Sequence, residues 1–133
     1  MTGVQTCALP ISVGDEALRS LTRLCRALLR QGDVLARQGG EEFVILLPET
    51  KEGAAMHAAE KLRSAIEGIT LRHGRDVIAL TASFGVTELR AADQTIMAAL
   101  ARADTALYAA KSFGRNCVMG FSEIAGRSTG LVA

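Results

Sequence analysis

The chain has little of what several classes of protein depend on. It contains no tryptophan and only 4% aromatic residues, so few rings are present on which unpaired bases could stack. Its 15 lysine and arginine residues are nearly matched by 14 aspartate and glutamate residues, and a net charge of +1 produces no field for a long nucleic acid. Apolar runs such as residues 43–47 fall far short of the roughly 20 residues that cross a bilayer. A nucleic acid polymer and a membrane are therefore not expected as partners of this domain.

Cysteine and histidine are also scarce. The three cysteines, Cys7, Cys25 and Cys117, form no CxxC pair, and the two histidines pair with no cysteine at the spacing of a zinc site. No basic segment precedes an apolar stretch, as it would in a secretory signal. With 49% hydrophobic residues the chain can pack a core without disulfide bonds, so Cys25 and Cys117 are interpreted as core residues. These features predict a reduced, cytoplasmic, single-domain protein.

The first eleven residues, MTGVQTCALPI, show neither helical nor strand periodicity. They resemble the conceptual translation of a short-read sequencing adapter, and segments of this kind are set aside before fold reasoning. The alternative is an ordinary N-terminal coil. On the adapter interpretation, residues 1–11 are non-native, native sequence begins near Ser12, a partial domain covers residues 12–121, and residues 122–133 form a tail that is small and polar enough to fray.

From Ser12 onward the sequence alternates between helical and strand periodicity. Apolar residues at helical spacing predict helices over residues 14–30 and 51–67, and a third helix from Ile96 that stops at Gly114. Strand patterns occur at residues 34–36, 43–47, 69–72, 78–87 and 117–121. This order of elements predicts an α+β fold in which helices pack on a mixed sheet.

Between the first two of these strands lie Gly39, Gly40, Glu41 and Glu42. Paired glycines allow the positive φ of a tight hairpin and let backbone amides approach a ligand closely. Two carboxylates at such a turn suit a hard cation, because Mg²⁺ prefers one or two carboxylates together with substrate phosphates. Successive side chains of an extended segment point to opposite sides, so Glu41 and Glu42 are not expected to face the same atom. A plain solvated turn is the alternative for this segment taken alone.

Four separated motifs give the turn its context. They are GDEAL at residues 14–18, RQGGEEF at residues 37–43, SFGV at residues 83–86 and ADTALYAAKSFGRN at residues 103–116. In sequence and in order they resemble the signature motifs of the GGDEF family of diguanylate cyclases, in its GGEEF form. The resemblance extends over residues 13–121, and the chain is identified as an N-terminally truncated member of that family.

The resemblance implies a ferredoxin-like, nucleotidyl-cyclase-like domain with a mixed sheet flanked by helices. Two such domains face each other as a homodimer, each holding one GTP, and condense the two GTP molecules to cyclic di-GMP with release of pyrophosphate. Mg²⁺, or Mn²⁺, neutralises the charge that develops on the phosphates. The domain is expected to be cytoplasmic, and the family allows a sensory domain or a membrane anchor upstream.

Carried over residue by residue, the resemblance gives Glu41 as the metal ligand and catalytic residue and Glu42 as a second acidic residue of the catalytic site. Gly39 and Gly40 are implied to contact the substrate. Asp15 is implied to accept hydrogen bonds from the guanine ring, because an ionised carboxylate is an acceptor only. The alternative for Asp15 is a helix N-cap.

Two further residues, Lys111 and Arg115, lie about one helical turn apart around the end of the third predicted helix, and the resemblance implies that they bind the triphosphate. The alternative is a favourable interaction of both side chains with the helix C-terminal dipole.

The sequence Arg30-Gln31-Gly32-Asp33 resembles the inhibitory RxxD site of the family, where the product cyclic di-GMP binds and holds two domains apart. Lys61 or Arg63 on the second predicted helix would complete that site. The alternative is an ordinary arginine at a helix end followed by a turn aspartate.

One departure from the family pattern affects activity. The first strand of the family, upstream of the GDxxL motif, carries a metal-binding aspartate, residues that contact phosphate and an asparagine for guanine, whereas this chain has residues 1–11 there. The first strand is therefore predicted to be missing and this fragment to be inactive alone. The alternatives to a cyclase are a non-catalytic module that binds cyclic di-GMP and a dimerisation module. The intact acidic turn argues against the first, because a receptor has no need of it.

Overall fold

The computed structural model describes residues 3–8 as backbone and residues 14–125. In chain order the elements are β1 (Gly3–Ala8), α1 (Asp15–Leu28), β2 (Val34–Gly39), β3 (Glu42–Leu47), α2 (Glu52–Glu67), β4 (Thr70–His73), β5 (Asp76–Ala79), β6 (Ser83–Glu88), α3 (Ile96–Ser112) and β7 (Val118–Gly120). A five-stranded sheet has the order β2-β3-β1-β6-β7, and β4 and β5 form a separate hairpin. The three helices correspond to the three that the apolar periodicity predicts.

Helices cover both faces of the main sheet. On one face, Leu21 of α1 and Leu62 of α2 belong to the same buried cluster as Ile45 and Phe84 of the sheet. On the other face, α3 packs on β1, β6 and β7. Only β6 and β7 pair in parallel, so the sheet is mixed. The predicted class, an α+β fold in which helices flank a mixed sheet, is confirmed.

The apolar run of β3 follows from this double cover. Phe43, Ile45 and Leu47 are buried in the cluster with α1 and α2, whereas Val44 and Leu46 pack against the smaller cluster that contains residues of α3. A strand that is covered on both faces needs apolar residues on both, as the sequence shows.

The expected loss of the first strand is wrong. Gly3–Ala8 forms β1 in the centre of the sheet, antiparallel to both β3 and β6, with Ala8 opposite Glu42 on one side and Ser83 on the other. The physical reason is that a gap between two strands leaves two rows of unpaired backbone groups, and an extended segment can satisfy both rows through its main chain alone. The predicted start of native sequence near Ser12 lies outside the described residues.

Two other boundaries also differ from expectation. The predicted strand at residues 78–87 is two strands, because β5 pairs with β4 in the hairpin while β6 enters the main sheet. Leu80 and Ala82 between them remain buried, and this burial preserves the alternating pattern across the break. The predicted pairing of residues 69–72 with the following strand is confirmed.

The expected fraying of the tail is wrong for residues 122–125, which are helical. Residues 126–133 lie outside the described part of the chain.

Gly85 of the SFGV motif is required by the packing of α3 on β6. A Cβ atom at this position would lie 2.1 Å from the carbonyl oxygen of Ala103 and 2.3 Å from the backbone nitrogen of Leu107. Both neighbours are main-chain atoms of a helix, so neither can move away without shifting α3.

We expect Gly85→Ala to destabilise the domain by about 3 kcal/mol or more, the upper part of the range for overpacked cores, because α3 must lift off the sheet. The measurement is urea unfolding followed by circular dichroism. Gly53→Ala is the matched control, since nothing lies within 4 Å of a Cβ there and its site is helical. Equal unfolding midpoints for the two variants would contradict the packing argument.

Candidate functional site

The glycine pair builds the turn that joins β2 to β3. Gly39 has a φ of 149° and Gly40 a φ of 53°, values at which a side chain would be strained, as the sequence predicted. Arg37 braces the turn, because its Nε donates a hydrogen bond of 2.8 Å to the carbonyl oxygen of Gly40. The register shifts between Arg37 and Gly39, which marks a bulge where the strand leaves the sheet.

The two carboxylates of this turn have different surroundings. Glu41 is partly buried and forms no hydrogen bond or ion pair with any residue that the structure describes. Glu42 begins β3 and lies near the last turn of α3, with its Oε1 3.9 Å from the Nζ of Lys111. The turn and the end of α3 therefore meet at one end of the sheet, although about 70 residues separate them in sequence.

A third acidic residue, Asp104, belongs to this region and was not singled out from the sequence. Partial burial of its carboxyl group and the charge of Glu42 raise its pKa, while Lys111 acts in the opposite direction. The signal was present, because Asp104 precedes Lys111 by seven residues and therefore shares its helix face. Sequence alone does not show that this face lies against the turn.

Asp15 stands at the start of α1 and does not cap it. The N-cap residue is Gly14, and none of the side chains that the structure describes caps the helix. Asp15 instead lines a groove of about 690 Å³ between α1 and β2, beside Arg37 and Phe43. The remaining lining residues are Leu18, Arg19, Thr22, Arg23, Arg26 and Leu35. The groove thus offers one carboxylate among several guanidinium groups next to the acidic turn.

Lys111 and Arg115 lie on the two sides of the end of α3. Lys111 is in the last turn, and the chain then continues through Gly114 with a φ of 106°, which confirms Gly114 as the predicted stop. Arg115 lies beyond the helix, with a φ of 65°, and its backbone nitrogen donates to the carbonyl oxygen of Ala110. The side chain of Arg115 is exposed and has no partner among the residues described.

The RxxD segment forms a closed turn after α1. The backbone nitrogen of Arg30 donates to Oδ2 of Asp33 at 2.7 Å, and Nη2 of Arg30 lies 3.6 Å from Oδ1 of the same carboxylate. Nη2 also donates to Oγ1 of Thr50 at 2.8 Å. The Asp33 side chain is 4% exposed and that of Arg30 is 66% exposed. The guanidinium group of Arg30 is therefore accessible, while the carboxylate that it contacts is buried.

A cavity of about 630 Å³ adjoins this turn. Arg30, Asp33, His57 and Lys61 line it together with Glu49, Lys51 and several apolar residues. Lys61, one of the two residues expected to complete the site, lines the same cavity as Arg30 and Asp33. The other candidate, Arg63, is not in the lining; it is hydrogen-bonded to Glu60, Glu67 and Asn116.

The residues at the acidic turn do not by themselves fit a divalent cation. The sequence of β1, GVQTCA, brings no carboxylate to the sheet end, and the β1 residue opposite Glu42 is Ala8. Within the described part of the chain no group of three or more His, Cys, Asp or Glu side chains is placed to hold a metal ion. Mg²⁺ demands near-octahedral oxygen ligation, which Glu41 and an already paired Glu42 do not supply.

The fold, the acidic turn and a match to a known family together identify the family of this chain. The mixed sheet, the helices on its two faces and the acidic hairpin at its end define a nucleotidyl-cyclase-like domain. The sequence profile described as "Diguanylate cyclase, GGDEF domain" matches residues 11–117. The chain belongs to the GGDEF family.

Among curated relatives, the response regulator PleD of Caulobacter vibrioides is 39% identical over 110 residues, which cover 81% of this chain and 24% of PleD. The diguanylate cyclase VdcA of Vibrio cholerae is 39% identical over 109 residues, or 80% of this chain and 32% of VdcA. The chain thus spans between about a quarter and a third of the length of these relatives.

Solved structures show the same fold. The diguanylate cyclase SiaD of Pseudomonas aeruginosa, crystallised with its activator SiaC, superposes with a TM-score of 0.83 at 31% identity over 90% of this chain and 49% of SiaD. The active GGEEF domain of a diguanylate cyclase from Vibrio cholerae superposes with a TM-score of 0.82 at 27% identity over 90% of this chain and 82% of that chain.

Among the residues described, no helix combines the length and apolar character needed to span a bilayer.

Proposed function

We propose that this domain comes from a diguanylate cyclase that condenses two GTP to cyclic di-GMP and releases pyrophosphate. The observation that carries the proposal is the meeting of the GGEEF turn with the end of α3, where Glu42 and Lys111 lie 3.9 Å apart. The relative VdcA, at 39% identity, is named a diguanylate cyclase and supports the same activity. GTP as substrate places the reaction in the cytoplasm.

The binding roles follow from charge and position. Asp15 accepts hydrogen bonds from the guanine N–H donors, and its groove leads to the turn. Gly39 and Gly40 leave the turn backbone open to the substrate, since no described atom lies within 4 Å of where their Cβ atoms would be. Lys111 and Arg115 bind the triphosphate, Lys111 as a point charge and Arg115 as a planar fork of donors. One domain holds one GTP, so the reaction requires a homodimer in which two sites face each other.

The divalent cation, Mg²⁺ or Mn²⁺, belongs to the intact enzyme. It would neutralise charge on the phosphates, and Glu41 is its ligand in our proposal, with Glu42 as a second acidic residue. The β1 strand of this chain restores the backbone of the sheet without the carboxylate that the family places there. We therefore propose that residues 1–133 bind nucleotide but do not turn it over. The active form that we propose is a restored domain, in which a first strand of the GGDEF family with its metal-binding aspartate replaces residues 1–11.

A second candidate function is a module that only binds cyclic di-GMP. The cavity beside Arg30, Asp33 and Lys61 favours it, because an accessible guanidinium group next to a lysine suits a phosphodiester. In the cyclase the same cavity would be the inhibitory product site. The two functions differ in one property, since only the cyclase needs a GTP site at Asp15.

The GTP site makes a prediction for the chain as it stands. Residues 1–133 should bind GTP more tightly than ATP, and Asp15→Ala should lower the GTP affinity roughly tenfold while leaving the weaker ATP affinity unchanged. The reason is that guanine presents two adjacent donors, N1–H and the N2 amino group, to one carboxylate, whereas adenine presents its N6 amino group beside the acceptor N1. Isothermal titration calorimetry measures both affinities without requiring turnover.

Glu16→Ala is the matched control, since Glu16 is an exposed acid in the same first turn of α1 and does not line the groove. It should leave both affinities unchanged. Equal losses of GTP affinity in the two variants would show that Asp15 acts only through the net charge of the helix end. Absence of GTP binding in the unmodified chain, with cyclic di-GMP still bound, would favour the binding module.

A further inference from the structure

The loop that follows α3 has a backbone that needs external support. Gly114, Arg115 and Asn116 are three consecutive residues with positive φ, at 106°, 65° and 47°. Glycine adopts such values freely, but arginine and asparagine do so at an energetic cost. Residues held in this region persist when the surrounding structure over-determines them.

Asn116 is that point of support. Its backbone nitrogen donates to Oγ of Ser83 at 3.0 Å, its Nδ2 donates to Oε2 of Glu67 at 2.7 Å, and its Oδ1 accepts from Nη1 of Arg63 at 2.9 Å. Three bonds from two elements therefore fix one residue. The bond to Ser83 anchors the loop to the start of β6, and the other two anchor it to α2.

Arg63 is itself held rigidly. Its Nε and Nη2 bond both carboxylate oxygens of Glu60, at 2.9 and 2.6 Å, and its Nη1 bonds Glu67 at 2.7 Å. The side chain of Arg63 is 17% exposed, and its hydrogen bonds hold the pKa of Glu60 below its usual range. The pKa of Glu67 is lowered by the hydrogen bond from Asn116 and then by the one from Arg63. A guanidinium group with this many fixed partners is pre-organised to hold the amide of Asn116 in one place.

The anchor has a defined position relative to the acidic turn. Ser83, which bonds Asn116, is opposite Ala8 of β1, and Ala8 is opposite Glu42 of β3. These residues form one row across the sheet, in which neighbouring strands lie about 4.8 Å apart. Ser83, which anchors Asn116, therefore lies roughly 10 Å from Glu42 at the start of β3. Arg115 is the residue next to Asn116 in the chain.

We infer that Arg63, through Glu67 and Asn116, is a positioning residue for Arg115 and fixes the strained loop in the geometry that binds the triphosphate of GTP. The inference rests on the proposed function, because it assigns Arg115 to that triphosphate. Arg63 lies on α2, 52 residues before Arg115, and touches neither the turn nor the groove of Asp15.

The test is a double-mutant cycle on the chain as it stands, with GTP and guanosine as probes in calorimetric titrations. Arg115→Ala and Arg63→Met should each lower the GTP affinity about tenfold. The double variant should lose little more than either single variant, because Arg63 acts through Arg115 and coupled residues are non-additive. Guanosine affinity should stay unchanged throughout, since guanosine has no phosphates.

Asn116→Gly provides a second route to the same answer. Glycine tolerates the positive φ, so this variant removes the side-chain bonds while relieving backbone strain, and it should still lose about tenfold in GTP affinity. Arg72→Met is the control for loss of an exposed arginine, and it should behave as the unmodified chain.

Three outcomes would overturn the inference. Additive losses in the double variant, or a parallel loss of guanosine affinity in Arg63→Met, would show that Arg63 is merely structural. Unchanged GTP affinity in Asn116→Gly would show that the loop needs no clamp. In each of these cases the unmodified chain still binds GTP and the proposed function stands. Absence of GTP binding by the unmodified chain would overturn both.

Discussion

In the restored domain, replacing Glu41 with Gln is expected to lower the rate of cyclic di-GMP synthesis by about 10²-fold or more, because the amide keeps the size of the carboxylate and removes the charge that holds the cation. Glu41 is the carboxylate of the turn that no described residue engages, whereas Glu42 is paired with Lys111. The rate is measured from GTP and Mg²⁺ with the product separated chromatographically.

Glu123→Gln is the matched control, since Glu123 is an exposed acid far along the chain and should not alter the rate. Raising the Mg²⁺ or Mn²⁺ concentration should recover part of the rate lost by Glu41→Gln if the residue binds the cation. Normal turnover by Glu41→Gln would exclude Glu41 as the metal ligand and catalytic residue.

The second large effect concerns product inhibition of the restored domain. Arg30→Ala should raise the concentration of cyclic di-GMP that halves the rate by roughly 10²-fold, because a guanidinium group can make two charge-assisted hydrogen bonds to a phosphodiester. The initial rate should not change, since the cavity beside Asp33 and Lys61 lies apart from the turn. Progress curves with added cyclic di-GMP measure both quantities.

Arg75→Ala removes an exposed arginine from the β4–β5 turn and should leave the inhibition unchanged. Arg63→Ala should also leave it unchanged, because the structure places Arg63 outside this cavity. Identical inhibition curves for Arg30→Ala and the unmodified domain would mean that the RxxD match is only a helix-end turn.

Local patterns in the sequence predicted much of the fold. The helices, the double-sided burial of β3 and the glycine turn each depend on residues close together in the chain, and each was predicted. The capping alternative for Asp15 failed because Gly14 holds the N-cap position. The single strand over residues 78–87 failed because Leu80 and Ala82 stay buried where the chain passes from one sheet to the other.

The central strand could not be predicted, and the reason is physical. Sequence reasoning looks for side-chain periodicity, but β1 is held by main-chain hydrogen bonds to β3 and β6. Such bonds depend little on side chains. The gap that a missing first strand would leave between β3 and β6 is therefore filled. The chain still departs from the family pattern in its chemistry. A strand with the sequence GVQTCA completes the sheet but supplies no metal ligand.

Long-range placement was the other limit. The motifs identified Lys111 and Arg115 as site residues. They did not show that Asp104 lies near Glu42 or that Arg63 donates a hydrogen bond to Asn116, because both contacts join residues far apart in the chain. Periodicity within α2 and α3 indicates which residues share a face, and only the packed structure shows what that face meets.

The central claim is that residues 1–133 have the sheet of a diguanylate cyclase without its complete catalytic site. The most direct test is to incubate purified residues 1–133 and the restored domain separately with GTP and Mg²⁺ and to measure cyclic di-GMP. We predict sustained synthesis by the restored domain and none by residues 1–133, although both fold. Synthesis by residues 1–133 at a rate comparable with the restored domain would contradict the claim, because β1 offers no carboxylate to the cation.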